Sequence, residues 1–367
     1  MKLTNIRLRD FRNYQDINLN FSKSNINVLY GDNAQGKTNL VESIHYASLL
    51  NSFRTNNDQS LINKDKMFSI MEYDFEKNNK KVKIKIVLSK SGKKIYVDNV
   101  EFKKFRDYIG QVNVISFCSD DIRKFKEAPK ERRKFFDEEI SKFDKKYLLH
   151  LLKIKKYLKQ RNEILKNETK YLNEYLDVID QKISEDSLYI CEIRKKFIDE
   201  INKNLSNIYF KLTNQKVELK VKYSSLLKKE DLTLENIKKI YKDNREKDIE
   251  KKQTNVGIQK ENFECLIDNQ IYSEYASQGQ QRLILLAIKL SVLKIIEEEN
   301  KIKALLILDD IFSELDNEKK KQILEYIKNE NQIFITTTNK KEIQLKNLDI
   351  DISYFNVNKG VITERMD

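Results

Sequence analysis

The period of apolar positions changes several times along the chain, and each change marks an element. Residues 26–30, "INVLY", form an apolar run that stops at Gly31, the pattern of a strand buried on both faces. Past Thr38 the period lengthens. Leu40, Val41, Ile44, Ala47 and Leu50 recur at helical steps and predict a helix. "KVKIKIVLS" (81–89) alternates, as a half-exposed strand does, and "VNVISF" (112–117) predicts another strand. From 130 to 214 the chain has neither Gly nor Pro, and Ile190, Ile193, Phe197, Ile201, Leu205, Ile208 and Leu212 form one helical stripe. A polar break, "KNETK" (166–170), splits this stretch into two arms and predicts an antiparallel helical hairpin. "VELKVKY" (217–223) predicts a strand, and the charged "IKKIYKDNREKDIEKK" (237–252) is expected to be exposed. "ALLILDD" (304–310) and "QIFITTT" (332–338) are further buried strands. The pattern predicts an α/β body, residues 1–120 and 251–367, interrupted by a mainly helical excursion over 121–250.

The first helix and the strand before it bracket "GDNAQGKT", residues Gly31, Asp32, Asn33, Ala34, Gln35, Gly36, Lys37 and Thr38. The spacing G-x-x-x-x-G-K-T in that context is a phosphate-cradling loop. Its backbone N–H groups and the helix N-terminus favour an anion, and the glycines permit close approach. Lys37 is expected to reach the β- and γ-phosphates of a nucleotide such as ATP, and Thr38 to place its hydroxyl on Mg²⁺. Such a loop needs a carboxylate partner for the metal. Asp309, closing the "LLILD" strand, is the candidate, and Asp310 is placed to orient or deprotonate an attacking water. A capping or turn aspartate is the bland alternative for Asp310.

Just upstream, "SQGQQR" (277–282) opens a helix. Ser277, Gly279 and Gln280 at a fresh helix N-terminus make a second anion-facing surface. An ordinary serine N-cap is the simpler reading of Ser277 alone.

Composition narrows the class. The chain has 367 residues, 40% hydrophobic and 35% charged, which suits a folded protein of two domains, or of one with an insertion. No run approaches the roughly 20 apolar residues of a membrane span, and the charged N-terminus is no secretion signal. Three scattered cysteines and two histidines argue against a zinc site or a disulfide framework, and a cytoplasmic location is expected. The net charge of +13 favours an anionic partner, nucleic acid or an acidic membrane surface. Lys, Asn and Ile are abundant together, as AT-rich coding produces, so part of that charge needs no partner.

"SQGQQR" followed by "LLILDDIFSELD" (305–316) resembles the heads of ABC-type ATPases. "LRDFRNY" (8–14), "GDNAQGKTN" (31–39), "SFRTNNDQSLI" (52–62), "PKERRKFFDEEI" (129–140), "LKQRNEILK" (158–166) and "IFITTTN" (333–339) narrow the resemblance to the RecF family over nearly the whole chain. The resemblance implies an ABC-type head with an inserted helical lever arm, and an ATP-gated homodimer. Each ATP would lie between Gly31–Thr38 of one subunit and Ser277, Gly279 and Gln280 of the other. It places Asp316 at the dimer seam, and Arg12 and Asn13 near the base or phosphates. It implies binding of gapped or single-strand/duplex junction DNA and, with RecR and RecO, promotion of RecA loading and the SOS response. Thr336–Thr338 stand where transporter heads carry a histidine, and Asp310 where they carry a glutamate, so slow hydrolysis is expected. "CSDD" (118–121) and "GIQKEN" (257–262) depart from the family pattern. Membrane-coupled or SMC-like ATPases are the alternative reading, and a small-molecule kinase a more distant one.

Independently of the resemblance, lysine is concentrated between 141 and 170. At about 100° per residue, Lys145, Lys153, Lys155, Lys156, Lys159 and Lys166 fall on one half of a helix. Phe143, Tyr147, Leu151, Ile154, Tyr157, Leu158 and Leu165 fall on the other. Lys145, Lys153, Lys156 and Lys159 are therefore candidate DNA-phosphate contacts, against the alternative of a plain solvated face. The aromatics of this helix lie on its packing side, which predicts contact with a duplex or junction backbone rather than base reading.

Overall fold

The computed structural model describes residues 1–21, 23–126, 129–167, 170–228, 230–301, 303–313, 315–328, 331–343 and 351–365. The chain opens with strands β1 (Lys2–Phe11), β2 (Tyr14–Asn20) and β3 (Ile26–Tyr30), then helix α1 (Lys37–Leu49). Strands β4 (Phe68–Lys77), β5 (Lys80–Ser89), β6 (Gly92–Val97) and β7 (Val100–Glu101) follow, then α2 (Phe105–Tyr108), β8 (Val114–Cys118) and α3 (Ser119–Lys126). The helical stretch holds α4 (Pro129–Ser141), α5 (Lys145–Lys166) and α6 (Leu172–Thr213). After it come β9 (Leu219–Ser224), α7 (Leu234–Asp243), α8 (Arg245–Glu250), β10 (Asn262–Ile267), β11 (Gln270–Ile271) and α9 (Tyr272–Tyr275). The remainder is α10 (Gln278–Asn300), β12 (Leu305–Asp309), α11 (Asn317–Ile327), β13 (Ile333–Thr337), β14 (Ile352–Asn358) and β15 (Val361–Arg365).

Two compact units result. One comprises Met1–Arg123, Leu205–Val217 and Ala276–Asp367, the other Lys124–Asn204 and Glu218–Tyr275. These bounds differ from the breaks at 120 and 250 suggested by composition. The antiparallel pairing of β10 with β9, Phe263 opposite Tyr223, draws residues 262–267 into the second unit. Composition cannot report a pairing between segments some forty residues apart.

The first unit carries two six-stranded sheets. One is antiparallel, in the order β2-β1-β4-β5-β6-β7. The other has the order β15-β14-β3-β13-β12-β8, parallel except for β15. Its strands β3, β8, β12 and β13 are buried at every residue, which is why they are mainly apolar and do not alternate. Strand β13 lies between β3 and β12. The C-terminal ends of β3 and β12 thus open on one edge, where ligands of parallel α/β sheets bind.

In the second unit α5 and α6 form the expected antiparallel hairpin. Asp144 meets Tyr189, His150 meets Asp186 and Arg161 meets Asp180, so the sequence numbers rise along one helix as they fall along the other. The 42-residue α6 is about 63 Å long at 1.5 Å per residue. The expectation of an exposed 237–252 segment is corrected. Ile237 and Tyr241, one turn apart on α7, are buried with Leu165, Leu176, Ile179 and Ile183. The many charges of the segment occupy the other faces and masked a narrow apolar stripe. Asp248 is also buried, where it accepts from Arg161 at 2.7 Å.

Among the described residues no helix is long and apolar enough to cross a membrane.

Candidate functional site

The loop between β3 and α1 needs backbone that few residues adopt. Gly31 has φ +146° and Gly36 φ +122°, and Ala34 also lies at positive φ. A Cβ on Gly31 would collide with the Val357 carbonyl oxygen of β14, and one on Gly36 with the Asn13 side chain. Gly31 is required by backbone contact as well as by dihedral, and Gly36 by its dihedral.

The loop is clamped from both ends of the chain. Asn13 Nδ2 donates to the Gln35 carbonyl at 3.0 Å, and Tyr14 OH to the Gly36 carbonyl at 2.9 Å. From the turn between β14 and β15, Lys359 N–H donates to Gln35 Oε1 at 2.7 Å and Gly360 N–H to the Gln35 carbonyl at 3.1 Å. Asn13 thus lies beside the loop. Arg12 pairs with buried Glu42 of α1, at 2.9 and 2.7 Å, so its guanidinium holds the helix that follows the loop.

Lys37 Nζ donates to the carbonyls of Gly31 and Asp32 at 2.6 and 2.7 Å. Burial lowers its pKa, opposed by the carboxylates of Asp310, Asp309 and Asp32. Thr38 Oγ1 donates to Asp309 Oδ1 at 3.0 Å. Thr336 Oγ1, on the intervening strand, donates to the same oxygen at 2.6 Å. Burial raises the pKa of Asp309, and these two hydroxyls pull it back. Asp310 is exposed, has φ +55°, and is held by its N–H to Thr336 Oγ1 at 3.0 Å. Thr336 therefore fixes both acids, while Thr337 and Thr338 donate to Glu342 at 2.7 and 3.1 Å.

Ser277 caps α10. Its Oγ accepts from Gln280 N–H at 3.3 Å, and Gln280 Oε1 accepts from Ser277 N–H at 2.9 Å, a reciprocal capping box. Gly279 sits within the first turn, with nothing near the place of its missing Cβ. One turn later Arg282 donates to the Asp310 and Ile311 carbonyls at 3.4 and 3.3 Å, which ties α10 to the acidic end of β12. Asp316 caps α11 through Lys319 N–H at 2.9 Å, and its bonds with Lys319 lower its pKa.

Sequence reasoning passed over Glu42, Asn39 and Arg54. Asn39 joins Asn13 at 2.7 Å, Arg54 joins Asn39 at 2.8 Å, and Ser52 joins Glu42 at 2.5 Å. A glutamate among the buried residues of α1 was the signal that a cation partner was needed.

Both segments that depart from the expected pattern carry an acid with local partners. Asp121 of "CSDD" accepts from Cys118 N–H at 3.2 Å and faces Lys289 at 3.7 Å. Glu261 of "GIQKEN" is a buried hub that accepts from Arg194 at 2.6 Å, from Leu226 N–H at 2.8 Å and from the Tyr223 hydroxyl.

In the second unit the lysines Lys145, Lys153, Lys155, Lys156, Lys159 and Lys166 are all exposed, and Tyr147, Leu151, Ile154 and Leu165 are buried, as their spacing predicts. Leu152, an apolar residue among them, is 42% exposed.

Comparison with known proteins gives a consistent result. The family model described as "AAA domain, putative AbiEii toxin, Type IV TA system" matches residues 26–339. The chain is 36% identical over 365 residues to the DNA replication and repair protein RecF of Clostridium acetobutylicum, covering 99% of this chain and 100% of that protein. Against the protein of the same description from Clostridium perfringens (strain 13 / Type A) it is 37% identical over 366 residues, 99% of each. Among solved structures it matches the recombination mediator RecF-ATP of the RecFOR pathway with TM-score 0.89 and 30% identity, over 99% of this chain and 97% of that one. An SMC head bound to the C-terminal winged-helix domain of ScpA matches with TM-score 0.59 and 15% identity, over 100% and 97%, a likeness of fold alone.

Proposed function

The chain belongs to the RecF family, and from that premise we propose that it is an ATP-gated, DNA-binding dimer of recombinational repair and replication restart. The observation that carries the proposal is the meeting of Thr38 with Asp309 beside a glycine-shaped loop, in a chain that also presents a serine-capped helix end.

ATP would lie with its phosphates against the N–H groups of Gly31–Thr38. Lys37 would exchange its two carbonyl partners for β- and γ-phosphate oxygens. The hydroxyl of Thr38 and the carboxylate of Asp309 are hard oxygen donors that suit Mg²⁺, which would neutralise phosphate charge. Asp310, exposed and held by Thr336, would orient the attacking water. An aspartate has a shorter reach than a glutamate, and slow turnover fits a switch. Ser277, Gly279 and Gln280 of a second copy would close over the γ-phosphate, with Asp316 at the seam.

ATP would therefore favour the closed dimer, and hydrolysis would release it. DNA bound preferentially by the closed form must raise ATP affinity by the same factor. The exposed lysines Lys145, Lys153, Lys156 and Lys159 would contact phosphates of gapped or junction DNA, giving affinity without sequence choice. The RecFOR pathway to which the solved relative is ascribed supports RecR and RecO as partners, RecA loading and SOS induction as the outcome, and the cytoplasm as the place.

Sedimentation of wild type, Lys37→Met and Ser277→Arg, with and without ATP and gapped duplex, tests this. The wild type should dimerise and bind DNA with ATP, and neither variant should. ATP-dependent DNA binding that survives Lys37→Met sinks the switch.

A further inference from the structure

The tip of the α5–α6 hairpin carries an aromatic surface that the lysine stripe does not explain. Tyr171, in the turn before α6, is 55% exposed, Tyr175 53% and Val178 59%. The N–H of Tyr175 donates to the Tyr171 carbonyl at 3.1 Å, so helical spacing already holds between them. Positions 171, 175, 178 and 182 share one face, and neighbouring side chains on it stand about 6 Å apart. Lys182 continues the stripe, and its ammonium lies 5.9 Å from the Tyr157 ring centre on α5. One turn further on, Lys153 of α5 lies 3.7 Å from Asp186 of α6. Lys156 is exposed beside it. Two tyrosines thus lead into a line of lysines along the groove between the helices. Of the nearby acids, Asp177 is already paired with Arg245 at 2.7 Å and Asp186 with His150 at 2.5 Å.

We infer that this tip is a platform for single-stranded DNA, with bases stacked on Tyr171 and Tyr175 and phosphates held by Lys182, Lys153 and Lys156. Aromatic rings one helical turn apart suit bases that have left the duplex stack, and ammonium groups at that spacing suit the backbone between them. A duplex offers no free base faces to tyrosines, so the surface reads the single-strand side of a gap. The inference adds base stacking at the tip to the backbone contacts expected of the lysine face. The inference rests on the proposed DNA-binding function and adds the part of the DNA that the tip takes.

The chain has no tryptophan, so Tyr175→Trp in the full-length protein is a single-site reporter. Titration with a dT oligomer should quench its fluorescence. Tyr171→Ala/Tyr175→Ala should lower affinity for the dT oligomer and for gapped duplex by roughly tenfold or more. Blunt-duplex affinity and ATP-dependent dimerisation should not change, and the double Phe variant should bind as wild type does. Unchanged dT affinity in the double alanine variant overturns the inference. So does an equal loss on blunt duplex, which would mean that no stacking is involved. A changed self-association with DNA binding intact would make the face a protein-docking surface and overturns it too. A wild type that binds neither dT oligomer nor duplex would instead sink the DNA-binding function itself.

Discussion

Thr38 and Asp309, 271 residues apart in sequence, meet at 3.0 Å. The contact exists because β3 and β12 flank β13 in one parallel sheet, and Thr336 on that middle strand donates to the same carboxylate oxygen. Asp309→Asn keeps the shape and removes the charge. ATP affinity measured with Mg²⁺ should fall about 10- to 100-fold. With EDTA the variant and the wild type should bind alike.

The glycines separate by environment. Gly31→Ala combines a φ of +146° with a collision against backbone that cannot move aside, and should cost about 2–4 kcal/mol in urea unfolding. Gly279 is helical with open space around it, so Gly279→Ala should stabilise the protein by about 0.5–1 kcal/mol. If that turn faces ATP across the dimer, the same methyl group should weaken nucleotide-dependent dimerisation. Greater stability with a weaker dimer is the expected pair of readings.

Arg161 is fully buried and pairs with Asp180 at 2.6 Å, Asp248 at 2.7 Å and Thr254 at 2.9 Å. Arg161→Ala leaves buried Asp248 without a cation and Asp180 with Arg245 alone, at 3.0 Å, and should cost about 3–5 kcal/mol. Chemical unfolding followed by circular dichroism would measure it. Nucleotide binding by the surviving folded fraction should be unchanged, because the network lies wholly in the second unit.

Stability should fall at alkaline pH. Burial pushes the Cys265 thiol up to about 12 and raises the phenols of Tyr73, Tyr108, Tyr147 and Tyr241 above their usual range. The unfolded chain releases these protons from about pH 9 for the thiol and pH 10 for the phenols, while the folded chain keeps them. The native state then binds more protons, so stability is full below about pH 9 and declines above it, by up to about 1.4 kcal/mol per pH unit for each such group. Urea midpoints between pH 8 and 11 would show the decline.

The glycine-lysine-threonine loop, the fully buried strands, the hairpin of α5 and α6 and the one-sided lysines were legible in the sequence. Each is set by residues within a few positions of one another, where helical or strand periodicity and backbone dihedrals act directly. Ser277 was also legible as the head of a helix, because a capping box is a local hydrogen-bond exchange.

Tertiary structure alone decided the rest. That Gln35 is gripped by Asn13 from one end of the chain and by Lys359 and Gly360 from the other depends on which strands lie next to β3. Likewise the pairing of Arg12 with Glu42 depends on β1 and α1 coming together, because a buried carboxylate on α1 needs a cation. Tyr171 and Tyr175 carry the same letter as buried Tyr147, and only the packing of α6 against α5 leaves them in water. Local pattern says which side chains a segment can bury together, whereas sheet order and helix pairing, set by long-range contacts, decide what they meet.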